Sequence, residues 1–245
     1  MIKNLFTAIF FFWFCSLAFP KDNFLQIYSN KTKDGKNLSI KLEKGKFYNS
    51  AFYLGDLKVN ITPQIAIWAE DETGKMLETL FVTDAYARQN WATFIKISST
   101  ETFRKETLPY WLNKYHETEK KMPTIDSPLP DSVTFATPFT SFVFYSKIIT
   151  NKDIINLLLE INMAFDDNEN FKAKTTFGNP VNSGTSAQPS VVYCATVDIS
   201  KNGTYPMKLI GCGDADGANG ELHNNINKLT TAKRIVNRIA VSIND

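Results

Sequence analysis

The chain has 245 residues, a formal net charge of +2 and 19 phenylalanines. That length bounds it to one large β domain or two small ones, with enough chain to bury a core without many cross-links. Near-neutrality without a dense Lys/Arg stripe excludes a general nucleic-acid binder and a protein that grips an anionic membrane surface.

Taken in chain order, the first segment reads as an export signal. "MIKNLFTAIFFFWFCSLAFP" places Lys3 before an apolar run from Leu5 to Cys15, followed by Ser16 and Ala18 at the spacing of a cleavage site. The expectation is a signal peptide over residues 1–18, with a soluble periplasmic or secreted protein starting at Phe19. The alternative is a retained membrane anchor, which the run, shorter than the ~20 residues of a spanning helix, suits less well; no other segment could span a bilayer, so no stable membrane insertion is expected after the signal's removal.

The mature chain is dominated by strand signals. "NLSIKLE" alternates Leu38, Ile40 and Leu42 with polar partners, and "DLKVNI" follows the same rule. "QIAIWAE" and "MLETLFV" flank Asp71-Glu72-Thr73-Gly74, a turn that suits a left-handed glycine. Trp68 reads as core there, and Glu70 to Glu72 as a solvated acidic face. "RKETLPYWLNKYHE" predicts a short helical turn on each side of Pro109. "KKMPTIDSPLPDS" is too rich in proline for regular structure and reads as a crossover connection. "TSFVFYSKII" and "INLLLEINMAF" predict strands buried on both faces. "FKAKTTFGNPVNSGTSAQPS" is a second long loop, of a length usually functional or mobile. "VVYCATVDI", "MKLIGCG" and "RIAVSI" complete the strands, and "NKLTTAKRIVN" predicts two helical turns capped by Thr230 or Thr231. The pattern is an all-β, antiparallel Ig-like β-sandwich over residues 19–245, with long loops and one or two short helices.

Several residue sets are candidates for chemistry or binding. Loss of Cys15 with the signal leaves Cys194 and Cys212, which an oxidising compartment pairs if the chain folds back about Gly203; a tight turn at Asn202-Gly203 would instead put the sulfurs on opposite faces. "GCGDADGANGELH" gathers Asp214, Asp216, Glu221 and His223 in a glycine-rich turn. Carboxylates in a pliable loop suit a weakly held divalent cation, although the order is not that of an EF-hand, and the alternative is a plain surface turn. Trp91 and Trp111, beside Arg104 and Lys105, form a ligand or partner surface if exposed, and plug the end of the sandwich if not. The histidines, His116 and His223, lie near no nucleophile motif, and no phosphate-cradling glycine loop precedes a helix.

The segments "PQIAIWAEDETGK", "TLFVT", "LPYW", "DSVTFATP", "EINMAFDDNENF", "QPSVVY" and "LTTAKRIVNRIAV" together resemble an uncharacterised family of predicted periplasmic proteins, known mainly as a domain of unknown function. The hairpin of Trp68, Glu70, Asp71 and Gly74 and the segment from Asp131 to Pro138 resemble the Ig-like module of flagellar hook-cap proteins. Members of the family often lie beside, or are fused to, transferases that attach FMN to exported proteins. The resemblance implies an exported, redox-associated setting and a flavin-linked exported protein as partner. Gly211-Cys212-Gly213-Asp214 stands where the family's pattern leads one to expect a Gly-His-Gly-His segment, so any role of those histidines does not carry over. The expected function is a non-enzymatic binding or accessory module. The alternative is a metal-dependent or redox accessory enzyme using residues 211–223.

Overall fold

The structure, a computed structural model, describes residues 24–29, 34–54, 56–91, 103–173 and 185–244. The expected signal peptide lies outside the described residues. The chain forms the all-β sandwich its strand signals predict. The strands are β1 (Leu25–Tyr28), β2 (Lys36–Lys44), β3 (Ser50–Leu54), β4 (Leu57–Ile61), β5 (Gln64–Glu70), β6 (Met76–Thr83) and β7 (Thr134–Phe135). They continue with β8 (Phe142–Ile148), β9 (Ile154–Asn162), β10 (Val191–Asp198), β11 (Gly203–Pro206), β12 (Lys208–Cys212) and β13 (Val236–Asn244). The helices are α1 (Asp84–Ala87) and α2 (Pro109–Glu119).

One sheet has the order β1-β8-β2-β13-β11 and the other β12-β10-β9-β5-β6-β7. Two edge pairings, β1 with β8 and β6 with β7, are parallel, a departure from the purely antiparallel expectation. The facing side chains alternate as the sequence demands. Leu38, Ile40 and Leu42 of β2, Phe142 and Phe144 of β8, and Ile239, Val241 and Ile243 of β13 meet Ile65 and Ile67 of β5, Leu157, Leu159 and Ile161 of β9, and Val191 and Val197 of β10. The strands β3 and β4 pair only with each other, as a hairpin on which Tyr53 and Leu57 are exposed.

The six-stranded sheet is buried on its other face as well. Ala66 and Trp68 of β5, Val82 of β6, Leu158 of β9 and Val192 of β10 pack under Tyr86, Leu108, Trp111, Leu112 and Tyr115. Most of this cover is α2. Its buried residues, Trp111, Leu112 and Tyr115, recur at helical spacing along one stripe, and Pro109 starts it at a position where a missing amide donor does no harm. The two short turns expected around Pro109 are thus one 11-residue helix. Pairing of the apolar stripe with an already apolar sheet face stabilises turns that propensity alone would leave marginal.

The second helical expectation fails in the opposite direction. Residues 232–234 form only a single 3-10 turn before β13 begins, with no side-chain cap from Thr231. The β-branched and alternating residues after Ile235 are claimed by the five-stranded sheet. No helix among the described residues is long and apolar enough to cross a membrane.

Candidate functional site

The polar chemistry of the described chain concentrates where α2 meets the outer face of the six-stranded sheet. Glu160 stands on β9 among aliphatic residues and is 0 % exposed. The residue at the helix's N-cap position is Leu108, which has no side-chain acceptor. Glu160 fills that role from the sheet: Oε2 accepts the Trp111 N–H at 2.7 Å and Oε1 the Tyr110 N–H at 3.3 Å. The Ser190 hydroxyl donates to Oε1 at 2.5 Å. Burial pushes the Glu160 carboxyl up to about 7, and the bonds from Ser190, Trp111 and Tyr110 pull the other way without winning.

Glu70, on the neighbouring strand, is also buried. This corrects the reading of Glu70 to Glu72 as a solvated face for Glu70 alone, since Asp71 is half-buried and Glu72 exposed: the side chain of Glu70 lies on the α2 side, where it accepts the Trp68 indole N–H at 2.8 Å and faces Lys114 Nζ at 3.8 Å. Lys114 donates to the Gly74 carbonyl at 2.7 Å and so ties α2 to the hairpin turn. Gly74 has the left-handed φ of +80° that the turn signal predicts. Asp71 closes the same turn, accepting from Thr73 and Lys75.

The glycine-rich stretch 211–223 runs over this layer, and packing explains its glycines. A Cβ on Gly213 would lie 2.5 Å from Ser190 Oγ and 2.6 Å from Pro109 Cγ. One on Gly220 would lie 1.9 Å from Asn113 Cβ, and Gly217, at φ +60°, presses against the Lys105–Glu106 backbone. The segment is a strap across the start of α2. Of the proposed cation ligands, Asp214 and His223 approach to 3.8 Å, while Asp214 Oδ2 already accepts the Ala218 N–H at 2.6 Å. Asp216 and Glu221 are exposed, and no three acidic, histidine or cysteine side chains among the described residues are placed to hold a metal ion.

Cys194 and Cys212 are both free thiols, which corrects the expected bridge. The strand β11 does not pair back on β10; it crosses to the other sheet and pairs with β13, and the chain returns at Met207 to form β12. The resulting register sets Cys194 opposite Lys208 and Cys212 opposite Val191, with a bulge between. The sulfurs are thus three residues, or ~10 Å, apart along the strand, and they belong to opposite faces. Burial, with the nearby charge of Glu70, pushes the Cys194 thiol up to about 11.

The tryptophan surface is divided. Trp111 is fully buried, so it is core and no contact surface: its indole donates to Thr79 Oγ1 at 3.2 Å, its ring stacks on Tyr115 at 5.1 Å, and it meets Tyr86 edge to face. Trp91 is half-buried and meets the other side of Tyr86 at 6.0 Å. Trp91 and Arg104, distant in sequence, come together: the guanidinium lies over the Trp91 ring, 4.2 Å from its centroid. Gln89 organises this corner. It is buried, adopts a left-handed φ of 49°, accepts from Trp91 Nε1 at 3.1 Å and the Arg104 N–H at 3.3 Å, and donates to the Tyr86 carbonyl. Lys105 is exposed beside it.

Arg104 Nη1 donates to Thr185 Oγ1 at 3.2 Å, whereas Nε is buried with no acceptor among the described residues. No carboxylate among the described residues forms an ion pair with this guanidinium within 4.0 Å. Burial lowers its pKa to about 10, with the charge of Glu106 acting against that. Gln89, Tyr86 and Thr185 were invisible as site residues in the sequence. A hint lay only in their polarity beside a long loop.

A second buried hub holds the far end of β9. Gln188 accepts from Thr230 N at 2.7 Å and donates to the Asp166 carbonyl and to Thr231 Oγ1. Its own N–H goes to Asp166 Oδ1 at 3.0 Å, and burial pushes the Asp166 carboxyl up to about 7. These bonds join the segments around residues 166, 188 and 230 and read as structural.

The fold and the layer over it define a β-sandwich with a helical cover and a cationic–aromatic corner. Comparison with family models, curated proteins and solved structures returns no match for this chain.

Proposed function

We propose that the protein is an exported, non-enzymatic binding or accessory module, and that Trp91 and Arg104 are its recognition corner. The observation that carries this reading is a guanidinium held on an indole face, with Nε lacking an acceptor among the described residues. Arginine and tryptophan in that arrangement are over-represented where proteins meet partners, because each joins large contact area to directed donors. The signal-like start of the chain supports export. The resemblance to exported, FMN-associated proteins supports a flavin-linked exported protein as the partner.

The test is site-directed cross-linking in the exported protein. A photoreactive residue at Lys105, exposed beside the corner, is expected to capture one defined exported flavoprotein, with capture lost in Arg104→Ala. A probe at Arg238, on the outer face of the five-stranded sheet, is the control. Equal capture from both positions, or none from Lys105, removes the corner as the recognition surface.

A further inference from the structure

We propose that Asn219 is a site of covalent self-modification: the Gly220 amide closes on its side chain, ammonia leaves, and the resulting aspartate or isoaspartate loosens the strap from α2. The inference is independent of the recognition corner, and its only reactants besides the chain itself are water and hydroxide.

The sequence holds two Asn-Gly pairs, Asn202-Gly203 and Asn219-Gly220. A glycine amide is the least shielded nucleophile that can follow an asparagine, because no Cβ stands beside its nitrogen. Ring closure also requires the backbone between the two residues to turn until that nitrogen faces Cγ. The two pairs differ in this respect. Gly203 opens β11 and is paired with Ile243, which holds the backbone extended. Asn219 and Gly220 lie in neither strand nor helix, and Asn219 is exposed to the water that the reaction consumes. The Glu221 N–H donates to Asn219 Oδ1 at 3.1 Å. That bond folds the side chain back along the residues that follow it and draws electron density from Cγ, the atom under attack.

Packing explains why a glycine stands at this place. A Cβ on Gly220 would lie 1.9 Å from Asn113 Cβ and 2.3 Å from Asn113 Cγ. A residue that shielded the amide would therefore collide with α2. The contact that seats the strap and the lability of Asn219 come from the same missing Cβ.

The reaction balances without an oxidant or reductant. Hydroxide takes the Gly220 N–H proton, and the nitrogen forms a bond to Asn219 Cγ. The Cγ–Nδ2 bond breaks, and the side-chain nitrogen leaves as ammonia with a proton from water, which restores the hydroxide. Water then opens the five-membered imide at either carbonyl. One opening gives aspartate with the ordinary backbone; the other gives isoaspartate, whose main chain runs through the side-chain methylene. Both add a carboxylate to a strap that already exposes Asp216 and Glu221. The isoaspartate also lengthens the main chain directly before a glycine that has no room on its Asn113 side.

The experiment holds the purified exported protein at pH 6 and pH 8 and maps its peptides by mass, with isoaspartate told from aspartate by fragmentation. The Asn219 peptide is expected to gain the mass of deamidation, faster at pH 8, while the Asn202 peptide lags; in urea the two should react at similar rates. Native protein aged in this way should label faster at Cys212, which is buried at the start of the strap, and should melt at a lower temperature. Asn219→Gln, whose longer side chain closes the ring poorly, should lose both changes. Asn219→Asp carries the charge without the lengthened backbone and should show a smaller fall in melting. An Asn219 that stays intact, or an Asn202 that reacts as fast in the folded protein, overturns the site. Modification of Asn219 with Cys212 labelling and melting unchanged overturns the loosening of the strap.

Discussion

Replacing Glu160 by glutamine should remove a pH dependence from the stability of the fold. In the folded chain burial raises this carboxyl from 4.5 to about 7. The folded state therefore holds a proton that the unfolded state releases between those values. The contribution is fully present below about pH 4.5 and is lost as pH rises through about 7, because stability falls wherever the native state binds more protons. A shift of that size corresponds to about 3 kcal/mol across the window. Asp166, raised from 3.8 to about 7, acts in the same direction. Glutamine keeps the shape of Glu160 but has one oxygen. That oxygen can accept from Trp111, and the amide group can donate to Ser190 Oγ once the hydroxyl turns. The weaker contact from Tyr110, at 3.3 Å, is lost, a cost of about 1 kcal/mol at low pH. Urea unfolding at pH 5 and pH 8 measures the difference directly. Wild type should lose stability toward pH 8, Glu160→Gln should lose roughly half as much, and Glu160→Gln combined with Asp166→Asn should be nearly flat. A single variant with the wild-type slope would show that Glu160 is already ionised when folded, and the argument from burial would be refuted.

Gly213→Ala should destabilise by about 1–3 kcal/mol, since its Cβ would sit 2.5 Å from Ser190 Oγ and 2.6 Å from Pro109 Cγ, whereas Gly203→Ala, whose contacts start at 3.2 Å on the Tyr205 ring, should change little; equal melting losses would show that the strap is not tightly seated. Thiol labelling of exported protein, denatured without reductant, should modify both Cys194 and Cys212, and protection of the pair would mean that the register differs from the one described. Millimolar calcium against chelator should leave the melting temperature unchanged, because Asp214 is engaged with Ala218 and Asp216 and Glu221 do not join it; a shift abolished by Asp214→Asn would restore the cation loop.

Much of the sandwich was legible because period-2 alternation is a local signal. Leu38, Ile40 and Leu42 announce their burial in β2, and the doubly apolar run of β9 announces a strand covered on both faces. What covers the second face was not legible. The amphipathic stripe of α2 is short, starting at Pro109 and ending in the polar run His116–Glu119, and its start is capped by Glu160, 49 positions from Trp111. The cysteine register was lost for a similar reason. Asn202-Gly203 is a genuine turn signal, but Pro206 and Met207 mark a point where the chain leaves one sheet for the other, and pairing partners across two sheets leave no mark in the local sequence. The joining of Trp91 to Arg104 was half-visible, since the residue types suggested a surface, whereas Gln89 in a left-handed conformation is known only from the fold.

Glycine next to carboxylate was the most misleading signal, and the reason is physical. A loop that wraps a cation and a loop that presses on a helix both need residues without a Cβ, and both can carry acidic side chains, inward on the ion in the first and outward to solvent in the second. What separates them is where a Cβ would collide. Around residues 213, 217 and 220 the collisions are with Pro109, with the Lys105–Glu106 backbone and with Asn113, all in or just before α2. The strap therefore holds the segment that carries Arg104 as well as the helix that Glu160 caps. Tyr86 joins the two arrangements: it lies between Trp91 and Trp111, and the charges of both Glu160 and Glu106 act on its hydroxyl. The acid beneath the helix and the cation at the corner thus share one buried wall. A change that loosens the strap is therefore expected to disturb the packing of Trp91 and Arg104 through that wall.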